Sequence, residues 1–317
     1  MLAPAKLTRS LRIVGRRADG YHLLESEMVA LDLADELEIE PLDGSDGRDA
    51  DGPGGGGGVG AGESRLEVLD EVRWVGTAIG EPAGQDAGAW AGAVAPVPLG
   101  PENLVLRALR EVGRRAAVTL RKRIPPGAGL GGGSSDAAAV LRWAGVDDPE
   151  LAVRLGADVP FCLAGGRALV RGIGDSVEAL APEPLAVLLV TPPVGVSTVA
   201  AYRAFDELGP GAPDPFRRND LEHAALVVEP RLLLWRDLLA DVSGHRPQLA
   251  GSGSSWFVEL PDGALPARGR HAGIVHELTK ALAAAGVRGV VTVAAALDAT
   301  ALDATAVDGS DRASGAR

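Results

Sequence analysis

The stretch PPGAGLGGGSSDAAAVL, residues 125–141, decides how the chain is read. Within the seven residues 127–133, five are glycine: Gly127, Gly129, Gly131, Gly132 and Gly133. Before them, Val118–Ile124 alternates apolar and polar residues as a strand does; after them, an alanine-rich run favours helix. A glycine bend between strand and helix leaves backbone N–H groups free to face an anion at the positive end of the helix dipole. Five glycines exceed what one tight turn requires, so the stretch reads as a phosphate cradle. Ser134 or Ser135 is its expected N-cap, and Gly145 closes the helix.

Two common phosphate motifs do not fit. The Walker pattern needs a Lys after the glycines, where this chain has Ser134 and Ser135. Gly127, Gly129 and Gly132 satisfy G-x-G-x-x-G, but a dinucleotide fold also needs an acidic residue at the end of a second parallel strand. Asp147 and Asp148 instead precede a helix predicted over Pro149–Leu155, with Asp148 as N-cap and Gly156 just past the end. Short strands are predicted at Leu11–Val14, Glu36–Ile39, Ala186–Thr191 and Trp256–Leu260, and helices at Asn103–Val112 and Pro230–Leu239. Without regular βαβ spacing, this mixture points to an α+β fold.

A chain of 317 residues suggests two domains. With 31 Lys and Arg against 43 Asp and Glu, the net charge of −12 argues against a nucleic-acid partner. The single cysteine, Cys162, has no disulfide or metal-ligand partner and reads as a small buried hydrophobe in a reducing compartment. The N-terminal MLAPAKLTRS lacks the features of a targeting segment. The longest apolar run, residues 185–196, is broken by Pro192 and Pro193, well short of the roughly 20 residues that span a bilayer. No membrane partner is expected, and the expected location is the cytoplasm. Residues 43–62 are nearly all Gly and Asp and read as a flexible insertion, residues 76–101 as an irregular excursion, and residues 296–317 as a disordered tail.

Residues 125–141 resemble the phosphate loop of the GHMP superfamily of small-molecule kinases. Further segments narrow the resemblance: APAKLT at 3–8, GRRADGYHLLES at 15–26, LGADVPFCLAGG at 155–166, NDLE at 219–222 and GSGSS at 251–255. Together they resemble the branch whose members are 4-diphosphocytidyl-2-C-methyl-D-erythritol kinases, which act in non-mevalonate isoprenoid synthesis. The resemblance implies a two-domain kinase, with an ATP-binding domain over 1–168, a second domain over 169–295 and the active site in the cleft between them. ATP is the implied co-substrate, bringing Mg2+ with it, and the acceptor is the 2-hydroxyl of a small cytidyl diphosphate alcohol. Other readings are another GHMP small-molecule kinase or a weakened nucleotide-binding relative.

The resemblance also assigns roles. Asp158 in LGADVP becomes the general base and Lys6 in PAKLT its cationic partner; by themselves, an Asp near a turn reads as a cap and Lys6 as a solvated charge. The nucleotide phosphates fall to Pro126, Gly127, Ala128, Gly129, Leu130, Gly131, Gly132, Gly133, Ser134 and Ser135. No protein metal site is expected; Ser135 and Asp136 are the loop residues nearest to any contact with the ATP-borne ion. Tyr21 and His22 are the implied grip on cytosine, by stacking and by hydrogen bonds, with Tyr202 as a second stacking face. The chain departs from the family pattern at Thr8, where Asn is usual near the substrate. It also departs in a shortened stretch at 144–154, which threatens the placement of Asp158.

Overall fold

Two long strands, β1 (Leu2–Arg16) and β2 (His22–Pro41), pair antiparallel and form the spine of the molecule. The computed structural model describes residues 1–42, 63–76, 96–209, 214, 216–261 and 271–300. The predicted strands at Leu11–Val14 and Glu36–Ile39 are short pieces of this pair. Residues 3–8 of β1 are all buried, so the period-2 alternation that marks a one-sided strand is missing there. The polar turn between the strands ends at Tyr21, with the Arg17 N–H bonded to the Tyr21 carbonyl at 2.7 Å and Gly20 at φ +94°.

β2 continues the sheet on both sides. On one side it pairs with β5 (Ala116–Lys122), which pairs in parallel with β3 (Arg65–Asp70); on the other it pairs with β6 (Arg167–Gly172), followed by β7 (Ser176–Ala179). The first sheet therefore extends to Ala179 in sequence. A second sheet has the order β4 (Val75–Gly76), β11 (Arg288–Ala295), β8 (Ala186–Thr191), β10 (Trp256–Glu259), β9 (Gln248–Leu249), all antiparallel.

Each sheet carries helices on its outer face. α1 (Leu104–Glu111), α2 (Gly132–Trp143), α3 (Pro149–Leu155) and α4 (Val159–Ala164) share a core with Ala3, Met28 and Leu120 of the first sheet. α5 (Thr198–Leu208), α6 (Glu222–Val228), α7 (Leu232–Ser243) and α8 (Ala272–Ala284) pack on Leu188, Trp256 and Val258 of the second. Between the sheets lies a third cluster, in which Ala5, Leu7, Val29 and Leu31 meet Val187, Leu189, Phe257 and Ala294. β8 thus buries both faces, and its sequence AVLLVT is apolar throughout for that reason.

Local signals place most helix ends. Asn103 caps α1 by accepting from the Val105 N–H at 2.8 Å, and Asp148 caps α3 from Glu150 and Leu151. The cap of α2 differs from expectation. Gly131, at φ +67°, turns the chain into the helix before either serine, so Ser134 and Ser135 fall inside its first turns. The Ser135 hydroxyl then donates to the Pro4 carbonyl of β1 at 2.7 Å. The first residues of the stretch read as a tail are tied to the sheet: Ala296 bridges Leu31, and the Leu297 N–H donates to the Ala30 carbonyl at 2.8 Å. The expected insertion at 43–62, most of the 76–101 excursion and residues 301–317 lie outside the described residues. Among the described residues no helix is long and apolar enough to cross a membrane.

One ionic triad locks three elements together. Lys122 at the end of β5 donates to Asp35 of β2 and, at 3.0 Å, to Asp136 of α2, and all three side chains are buried. The other Asp35 oxygen accepts the N–H groups of Arg123 and Ile124 at 2.6 and 2.8 Å, fixing the chain as it leaves the sheet for the glycine loop. Asp136 Oδ1 is buried without a partner. Burial pushes the Asp136 carboxyl up to about 7 against the pull of Lys122, and Asp35 adds to the rise.

Two stability predictions follow from this packing. Phe257→Ala opens a hole between the sheets and lowers unfolding free energy by ~3–5 kcal/mol, read by urea denaturation. The folded chain retains the Asp136 proton at a pH where the unfolded carboxyl, titrating near about 4, has lost it. Asp136 therefore makes stability fall as pH rises from about 4 to about 7. Asp136→Asn removes this titration, so the variant gains on the parent protein across that window. Urea unfolding as a function of pH checks the sign, and a difference between the two proteins that does not change with pH refutes it.

Candidate active site

A cavity of about 1130 Å³ opens between the two bodies. Its walls include Lys6 and Asp158 from the first body and Tyr202 and Ser252 from the second. Strand alternation explains the placing of β1 residues: Ala5 and Leu7 enter the core between the sheets, while Lys6 and Thr8 face the cavity. Register shifts in the β1–β2 pairing on either side, between Pro4 and Lys6 and between Thr8 and Ser10, re-aim this short segment.

Lys6 Nζ lies 3.2 Å from Asp158 Oδ2 and donates to Thr8 Oγ1 at 3.1 Å. Its side chain is only 7% exposed, whereas that of Asp158 is 31% exposed, so both line the cavity and the carboxylate is the more open member of the pair. Asp158 stands at the N-cap position of α4, yet its side chain makes no capping bond and is left to Lys6. After the shortened segment at 144–154, Gly156 caps the end of α3, Pro160 lies in the first turn of α4, and Asp158 between them pairs with Lys6. Thr8, at the position where Asn was expected, supplies a hydroxyl acceptor to the ammonium.

The glycine loop forms the adjacent wall. Pro126, Gly127, Ala128, Gly129, Gly131, Gly132, Gly133 and Ser134 all line the cavity. The first-turn N–H groups of α2 have no intrahelical acceptor and lie at its positive end. Leu130 and Ser135 are different. Leu130 is buried between the sheets, and its carbonyl accepts the Lys6 N–H at 2.9 Å. Ser135 is buried, with its N–H bonded to the Gly131 carbonyl and its hydroxyl to Pro4. The Ser135 hydroxyl is committed to Pro4, while Asp136 gives Oδ2 to Lys122 and keeps Oδ1 without a hydrogen-bond partner at the cavity wall. Among the described residues no three His, Cys, Asp or Glu side chains are grouped to hold a metal ion.

A glycine is required at Gly131 for space as well as for its φ. A Cβ there would lie 2.6 Å from Lys6 Cγ, so the lysine stem runs directly across the loop. At Gly129 a Cβ would meet the Ala250 carbonyl oxygen at 2.2 Å, where the loop packs against the GSGSS turn of the second body. Asn219 of NDLE shapes that turn by donating to the Leu249 and Gly251 carbonyls at 2.8 and 2.7 Å.

The far end of the cavity carries the aromatic residues. Tyr21 is 63% exposed at the lip. His22 and Tyr202, two of the three residues that the resemblance implies for cytosine, stack on one another at 4.8 Å and 21°. Burial raises the Tyr202 phenol above its ordinary pKa. Sequence reading did not single out Asp206, which touches His22. The available signal was its position four residues after Tyr202 on one helix face. It also missed Lys122 with Asp35, whose partners lie far apart in the chain. Of the four histidines that the sequence places at the surface, His223, His245 and His276 are exposed, whereas His271 is half-buried. Cys162 is buried, and burial pushes its thiol up to about 12.

Comparison with known proteins was made against this geometry. Residues 103–166 match the family GHMP kinases N terminal domain. A 4-diphosphocytidyl-2-C-methyl-D-erythritol kinase of Paracoccus denitrificans is 35% identical over 273 residues, covering 80% of this chain and 84% of the relative. The enzyme of the same name from Ruegeria pomeroyi is 34% identical over 285 residues, 82% of this chain and 88% of its own. A crystal structure of 4-(cytidine 5'-diphospho)-2C-methyl-D-erythritol kinase superposes with a TM-score of 0.62 at 31% identity, covering 93% of this chain and 98% of that one. A homoserine kinase from Cytophaga hutchinsonii, at 17% identity and TM-score 0.56 over 93% of both chains, shares the fold. With the phosphate loop, the Lys6–Asp158 pair and relatives matched along most of their length, the chain belongs to the 4-diphosphocytidyl-2-C-methyl-D-erythritol kinase family of GHMP kinases.

Proposed function

We propose that the protein transfers the γ-phosphoryl group of ATP to the 2-hydroxyl of 4-diphosphocytidyl-2-C-methyl-D-erythritol, a step of non-mevalonate isoprenoid synthesis. The observation that carries this reading is the Lys6–Asp158 ion pair at 3.2 Å, set between a helix N-terminus on one side and an aromatic cluster on the other. Phosphoryl transfer needs alignment and charge balance more than covalent work by the protein. The N–H groups at the start of α2 hold the nucleotide phosphates, and magnesium arrives with ATP, bound by phosphate oxygens and water. Asp158 takes the proton of the acceptor hydroxyl as its oxygen bonds to the γ-phosphorus and the bond to ADP breaks. Lys6 balances the charge that gathers on the transferred group. Tyr21, His22 and Tyr202 hold the cytidyl end, so the aromatic cluster selects the acceptor while the ion pair activates it.

The proposal is tested at each end of the site. Asp158→Asn and Lys6→Met lower kcat by ~10²–10⁴-fold while calorimetric ATP binding persists. A near-normal kcat in Asp158→Asn with the cytidyl substrate overturns the assignment of the base. Gly131→Ala affects two functions, because its Cβ would displace Lys6 as well as crowd the phosphate-facing N–H groups. Its ATP affinity falls and its kcat falls by roughly 10²-fold, the usual effect of misplacing a catalytic group by about 1 Å. Loss of ATP affinity with kcat unchanged at saturating ATP would show that Lys6 does not depend on this close contact.

A further inference from the structure

His22 is held from three sides by one helix. Tyr202, Phe205 and Asp206 are spaced i, i+3 and i+4 on α5, so their side chains share a face. The imidazole stacks on Tyr202 at 4.8 Å and meets the edge of Phe205 at 6.2 Å and 86°. Its Nε2 lies 2.7 Å from Asp206 Oδ1. The other Asp206 oxygen faces Arg16 Nη1 at 3.4 Å, which orients the carboxylate from the end of β1. The His22 side chain is only 11% exposed. Arg16, Tyr21, His22, Tyr202 and Asp206 all line the same cavity.

A carboxylate offers only acceptors, so the ring nitrogen that faces it carries the hydrogen. In the neutral imidazole Nε2 is then the donor and Nδ1 the acceptor. Nδ1 has no hydrogen-bond partner among the described residues. From this geometry we infer that Asp206 is a positioning residue that fixes His22 in the Nε2–H form, leaving the Nδ1 lone pair to accept from an amino group of the bound base. Such an acceptor matches a base that presents an exocyclic amine and opposes one that presents a carbonyl in its place. The inference rests on the proposed cytidyl substrate for its functional consequence. The tautomer itself rests on the Asp206 contact alone.

The test uses the full-length chain labelled with ¹⁵N, with His22→Gln assigning the His22 signals. At about pH 8, where an ordinary imidazole is neutral, long-range ¹H–¹⁵N spectra are expected to show a protonated Nε2 and an unprotonated Nδ1. Asp206→Ala is expected to give a mixture of tautomers. Its KM for the cytidyl substrate rises roughly tenfold, while kcat stays within about twofold. Competition by CMP and UMP reads the base preference directly: the preference for CMP shrinks in Asp206→Ala and largely returns in Asp206→Asn, whose amide oxygen can still accept from Nε2. A protonated Nδ1 in the parent protein overturns the inference, as does an unchanged KM and CMP preference in Asp206→Ala. If Asp206→Ala fails to fold, the parent spectrum and the Asp206→Asn variant decide. A parent protein that neither phosphorylates the cytidyl substrate nor binds CMP refutes the proposed function, and the tautomer measurement stands apart from that result.

Discussion

A buried ammonium is tolerated only when it is paired, and the site is built around meeting that demand for Lys6. Its partner, Asp158, comes from a different element and is more than 150 positions away in sequence, so pairing them draws the start of α4 against β1. Thr8 supplies a second acceptor from the same strand face. The lysine stem needs a passage, and the absent side chain of Gly131 provides it. The glycine loop and the Lys6–Asp158 pair are therefore one piece of structure. The loop that opens α2 also sets the position of the ammonium beside Asp158.

Much of this was legible because the chemistry is concentrated in short motifs. The glycines stand out by composition alone, and the helix over Pro149–Leu155 was readable from its cap and its terminal glycine, whereas Lys6 and Asp158 were picked out only through the resemblance of PAKLT and LGADVP to a known family. The misreadings have physical causes. Two adjacent serines look equivalent in sequence, but in a helix successive side chains are about 100° apart, so Ser134 faces the cavity while Ser135 turns to Pro4. β1 and β2 were under-read because burial on both faces erases alternation, and the pairing of β6 and β7 was not read because neither strand carries a mark of the sheet it joins.

Groups that act at long range were not legible at all. Lys122 and Asp35 are 87 residues apart, and His22 and Asp206 are 184 apart. Nothing in either local segment announces its partner. The Lys122 triad is buried and ties the loop to the sheet, and it shares the wall of one cavity with the His22 contact. Both rest on the same rule, that a desolvated polar atom needs a partner of complementary character.

The contact at Gly129 bears on how the protein can change over time. The loop approaches the backbone of Ala250 and Gly253 too closely for any side chain, and the Ser255 N–H donates to the Ala128 carbonyl at 3.1 Å. Two segments more than 120 positions apart therefore share one small volume. A mutation that enlarges either one is harmful until the other retreats, and neither can retreat without shifting the glycine loop. Evolutionary drift at this junction is restricted to steps in which both segments move together, and a designer who wishes to widen the cavity beside the glycine loop must redesign the GSGSS turn in the same step.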